Sequence, residues 1–175
     1  MTVSDRVQPK GRVNVGAPSH STGLDSGVRR LFDKASIRTI TLKRCSAESD
    51  VTDEQPLNLG VGWQASGQRT SDSRKFTATV QFKLEGTPLD DPASRPKLII
   101  EATFYAMYEA PSELELDDSE ALDLFARTNG VWNLWPYWRE FVQTITVRMG
   151  LPALTVPSYR VEEAFSGPGT SPRSN

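Results

Sequence analysis

Near Tyr108 the spacing of apolar residues changes from every second position to every third or fourth, and few folds accommodate that switch. Period two marks half-buried strands and the longer period marks helices packed by one face. Four segments precede the switch. The first, Ala35 to Ala47, sets Ile40 and Leu42 on one side and Ile37 and Cys45 on the other. The second puts Leu57, Leu59, Val61 and Trp63 on one face, against Asn58, Gly60, Gly62 and Gln64. The third does the same with Phe76, Ala78, Val80, Phe82 and Leu84 against Thr77, Thr79, Gln81 and Lys83. The fourth, Lys97 to about Tyr108, is apolar on both sides: Leu98, Ile100, Ala102 and Phe104 on one, Ile99, Tyr105 and Met107 on the other. Its second face implies contact with another subunit.

Gly67, Gly86, Pro88 and Asp90-Asp91-Pro92 read as turns between these strands. With no crossover helices between strands, the expectation is an antiparallel meander. After the switch, Asp117 with Glu120 resembles a capping box, and Leu122, Phe125 and Ala126 follow at helical spacing. Asp123 and Arg127 make an i,i+4 pair, and Asn129-Gly130 reads as the end of that helix. A second helix is expected from an N-cap at Asn133, with Pro136 in its first turn. Its apolar stripe is Leu134, Trp138, Phe141, Val142, Ile145 and Met149, and Arg148, Gly150 and Pro152 stop it. The fold class is therefore α+β, a four-stranded antiparallel sheet followed by helices. Residues 1–27 and 166–175, rich in Gly, Pro and Ser, read as disordered tails around one domain, 28–165.

Chemistry is sparse. The sole histidine, His20, falls in the first tail, so the domain offers no Cys/His zinc set and no histidine-activated nucleophile. Nucleotide-binding glycine motifs are absent, and the only cysteine, Cys45, reads as a small packing residue that cannot form an internal disulfide. Glu109 to Asp123 holds seven acidic residues and no basic one, which suits a solvated linker and a helix N-terminus. A net charge of -2 gives no pull toward nucleic acid. No basic-then-apolar leader opens the chain and no apolar run approaches the roughly 20 residues of a membrane span. The expectation is a cytoplasmic, non-enzymatic protein without cofactor or metal.

What stands out is aromatic surface. Trp132, Trp135, Tyr137 and Trp138 lie within seven residues and include three of the four tryptophans. One helix face cannot bury all four rings, because residues 135, 137 and 138 point in different directions. Trp138 belongs to the core stripe. Trp132, Trp135 and Tyr137 are candidates for binding, with Trp63 on the second strand as the next.

The stretch NGVWNLWPYWREFVQTITVRMGLPALTVP, Asn129 to Pro157, resembles the signature of the SecB family of export chaperones. Leu134, Pro136, Tyr137, Arg139, Glu140, Arg148, Gly150, Leu151, Pro152, Leu154 and Pro157 match it in order and spacing. The likeness extends over about Ala35 to Phe165 but is specific only in the C-terminal third. It implies a homotetramer, a dimer of dimers, that captures unfolded polypeptides in hydrophobic grooves without ATP. It also implies contact with the SecA motor through Ile99, Glu101 and Glu48. Arg44 departs from that pattern, standing where an acidic residue is expected. A SecB-like chaperone of a toxin–antitoxin system, binding an antitoxin, is the alternative role. A protein with an apolar small-molecule pocket and a purely structural oligomer are the readings from other classes.

Overall fold

The alternating segments form four strands in a computed structural model that describes residues 31–51, 56–110 and 118–159. They are β1 (Ser36–Ser49), β2 (Leu57–Arg69), β3 (Lys75–Pro88) and β4 (Leu98–Glu109), all antiparallel to their neighbours. Their order is β1-β4-β3-β2. The expected meander therefore holds only for β2 to β4. The first strand lies beside the last, so the chain passes from one sheet edge to the other between β1 and β2, a Greek-key arrangement. Residues 31–34 form a helical turn ahead of β1. Both expected tails lie outside the described residues, as do residues 111–117 of the acidic stretch.

One face of β2, β3 and β4 carries the core. Phe76, Val80, Phe82 and Leu84 on β3 meet Ile100, Ala106 and Tyr108 on β4 in alternating buried positions. Cross-strand partners share a face, which makes the β1 register informative. Ile37, Ile40, Leu42 and Cys45 stand opposite Tyr108, Ala106, Phe104 and Ala102, so all four point to the core side. Uninterrupted alternation had divided them. Register shifts between Ile37 and Thr39 and between Leu42 and Arg44 put the strand back in phase twice.

Two helices close the core. The first, α1 (Ser119–Phe125), is capped by Asp118, whose carboxylate accepts from the N–H groups of Glu120 and Ala121 at 2.9 and 3.1 Å. Asp117, the expected cap, lies outside the described residues. Helical structure does not end at Asn129-Gly130. A π-helical turn, Ala126–Gly130, leads directly into α2 (Val131–Arg148), with the Val131 N–H donating to the Ala126 carbonyl. Asn133 and Pro136 thus lie inside continuous helical structure, and the Asn133 amide donates to the Tyr108 hydroxyl at 3.2 Å. Burial pushes the Tyr108 phenol above its ordinary pKa, and the bond from Asn133 partly offsets the rise.

Gly67 and Gly86 sit within strands, not in turns. At Gly67 the backbone of α1 comes so close that a Cβ would collide with the Leu122 carbonyl. The Gly67 N–H donates to Asp123 at 2.8 Å, which gives Asp123 a partner other than the expected Arg127. At the far end of α2, Gly150 adopts φ 78° and forms a Schellman stop. Its N–H reaches the Val147 carbonyl, and that of Leu151 reaches Thr146. Trp138 stacks on Phe82 with ring centroids 5.4 Å apart and is fully buried, as its place on the stripe predicts. Among the described residues, no helix is long and apolar enough to cross a membrane.

Candidate functional site

Trp63 on β2 and Trp135 on α2 meet edge to face, with ring centroids 5.7 Å apart. Trp63 is the last large apolar side chain on the inner face of β2, and Phe82 stands opposite it on β3. Phe82 also meets the edge of Trp135 at 5.7 Å. Beyond the α2 stop, residues 151–159 run back along the helix without forming helix or strand. The Trp135 indole N–H donates to the Pro157 carbonyl at 2.8 Å, and the Arg139 Nε donates to the Val156 carbonyl at 2.7 Å. Tyr159 packs on both tryptophans, at 5.5 and 5.1 Å. An aromatic site on β2 and α2 therefore holds an extended segment, largely by its backbone.

This arrangement changes the place expected for Trp135. The ring was expected off the core stripe, yet it is only 7% exposed. Residues 151–159 cover it, and no helical pattern within α2 announces that cover. Trp132 and Tyr137 are open, at 55% and 47% exposed. Five residues apart on a helix, they point about 140° from each other and cannot line one groove in a single subunit. Of the four rings expected to bind, the fold joins Trp63 to Trp135 and leaves the other two separate. Arg139, Val156 and Tyr159 were not expected at the site. Arg139 carries only the signature match, and for Val156 the local signal is its alternation with Leu154 in a proline-flanked stretch.

The opposite face of the sheet brings the second expected set together. Glu48 pairs across from Ile99, and Ser46 from Glu101. The face is mixed in charge, not acidic. Lys83 lies 2.9 Å from Glu85 and 3.5 Å from Glu101, and the Glu85 carboxylate holds the Lys83 amine above its ordinary pKa. Arg44 stands beside the same row, opposite Thr103. Lys43 lies over the Tyr105 ring, 4.8 Å from its centroid. Among the described residues, no cluster of His, Cys, Asp or Glu could hold a metal ion.

A third surface lies on the core side of β1. Ile37 and Leu42 are 42% and 41% exposed although they point the same way as the buried residues of β4. Cys45, expected to be a packing residue, is exposed as well. Among the described residues, the helices pack on β2 to β4; Ile40 is half-buried against that core, and Ile37 and Leu42 are left open.

The chain is similar in structure to a SecB-like chaperone of Mycobacterium tuberculosis, solved in complex with a ChAD peptide from the HigA1 antitoxin. The TM-score is 0.65 at 25% identity, covering 77% of this chain and 96% of that one. A protein of unknown function from Streptococcus agalactiae matches at TM-score 0.42 and 10% identity, over 71% of this chain and 97% of that one. No family model matches the sequence, and no curated protein does.

Proposed function

The chain is SecB-like, and on that premise we propose that it is an ATP-independent holdase, a binding protein that keeps unfolded polypeptides soluble and changes no bond in them. One observation carries the reading: the Trp63–Trp135 site holds an extended segment through that segment's main-chain carbonyls. Backbone carbonyls occur in every polypeptide, so a site that reads them and adds aromatic surface can accept many sequences. The uncovered stripe of β1 supplies further apolar surface, for a client or for a second copy of the chain in a tetramer.

The test is tryptophan emission on adding a chemically unfolded polypeptide without nucleotide. The emission maximum should shift and saturate. An unchanged spectrum at client concentrations up to the micromolar range contradicts the reading.

The client we favour is an antitoxin segment, because the similar chaperone of Mycobacterium tuberculosis was solved with a peptide of an antitoxin. Delivery to the SecA motor is the second reading, favoured by the convergence of Glu48, Ile99 and Glu101 on one exposed face. Under it, Glu101→Lys weakens SecA binding and leaves client capture intact, and added salt weakens binding as well. If the unaltered protein has no SecA affinity at low salt, export is excluded and the antitoxin role stands.

A further inference from the structure

We propose that residues 151–159 are an autoinhibitory strap: a resident, displaceable occupant of the aromatic site that a client must evict. The inference rests on the holdase reading and adds a control to it. After the stop at Gly150 the segment turns back antiparallel to α2. Its anchors descend the helix in order: the Leu154 N–H donates to the Thr146 hydroxyl at 3.2 Å, the Val156 carbonyl accepts from Arg139, and the Pro157 carbonyl accepts from Trp135. Val156 is 1% exposed, whereas its neighbours Thr155, Pro157 and Ser158 are exposed.

Such a segment is bound the way a peptide ligand is bound. Its two anchoring carbonyls are main-chain groups, one aliphatic side chain, Val156, is buried in the core, and an aromatic ring three residues later lies on the tryptophans. Pro152 and Pro157 have no N–H to donate to a strand ladder, which keeps the strap from becoming part of the sheet. The donors that hold it, the Trp135 indole and the Arg139 guanidinium, would serve any extended chain equally well. The ligand class follows: an extended, uncharged segment with an aliphatic residue and, three positions on, an aromatic one. An unfolded polypeptide offers such segments often.

The experiment uses the full chain and, as probe, a fluorescently labelled synthetic peptide of residues 151–159 (LPALTVPSY). Val156→Asp in the full chain loosens the strap and should raise affinity for the peptide at least tenfold over wild type. Tyr159→Ala, which leaves Val156 seated, should raise it severalfold and carries the test if the first variant does not fold. Equal affinity in wild type and both variants overturns the strap. In wild type, the Trp135 indole N–H resonance should shift as the peptide is added; a resonance that stays fixed at saturation also overturns it. Protection of an unfolded client separates the two claims. If wild type protects and the loosened variants protect no better, the strap falls and the holdase reading stands. If neither protects, the holdase reading falls and takes the strap's role with it.

Discussion

β1 and β3 are both 14 residues long and both pair with β4, yet one is largely exposed and the other forms the centre of the core. Each carries large apolar residues toward the same side of the sheet. On β3 those residues meet α1, the π-helical turn and α2; Phe82 alone touches Phe104, Trp135 and Trp138. On β1, Ile40 is half-buried against the core, while Ile37 and Leu42 stay exposed. An edge strand with an uncovered apolar face is an invitation to pair, and proteins that keep one use it or shield it. The difference teaches that the helices bury three strands of the sheet for stability and leave apolar side chains of the fourth open.

If that division is right, the two regions respond differently to substitution. The largest effect falls on the β3 side. Trp138→Ala removes a fully buried ring stacked on Phe82 and should cost about 3–5 kcal/mol in a urea titration. A loss below about 1 kcal/mol would mean that this side is no better packed than β1. Gly67→Ala comes next. It forces a methyl group against the Leu122 carbonyl and should cost about 1–3 kcal/mol as α1 moves off β2. Retention of full stability there would show that α1 is not held against β2.

The smallest change in stability, within about 0.5 kcal/mol per subunit, is expected for Ile37→Lys with Leu42→Lys on β1. Their effect should appear in assembly instead. Light scattering with size exclusion should give about four chains per particle for wild type, by the family resemblance, and fewer for the variant. A variant that unfolds as readily as Trp138→Ala would break the comparison, since β1 would then be ordinary core.

Much of this fold is legible in the sequence where periodicity is regular. On β2 to β4 the alternation assigns each residue to its face, and Trp138 falls on the stripe of α2 as its spacing requires. The failures occur where one residue is inserted or a break is absorbed. Two bulges in β1 re-aim Ile37 and Cys45, and alternation cannot register an extra residue. The π-helical turn carries Asn129-Gly130 through without a stop, because wider hydrogen bonding accommodates the residue a loop would otherwise take. Gly67 reads as a turn when its purpose is to admit the backbone of α1.

The site is less legible than the fold, for a physical reason. Trp63 and Trp135 are far apart in the chain and meet only because the fold brings α2 onto the sheet, where Phe82 on β3 flanks both rings. The cover over Trp135 comes from Pro157 and Tyr159, which helical periodicity cannot see. Trp132→Ala with Trp135→Ala is consequently a poor surface probe, since the second substitution removes a buried ring. Trp132→Ala alone should leave stability within about 0.5 kcal/mol.

The most direct test of the central claim, that this protein offers open apolar surface to unfolded chains, is the aggregation of a denatured client diluted into buffer without nucleotide and followed by light scattering. The wild-type protein should suppress aggregation in proportion to its concentration. Ile37→Lys with Leu42→Lys should suppress it less while remaining as well folded. If the unaltered protein leaves the client to aggregate at the rate seen in buffer alone, the account is wrong.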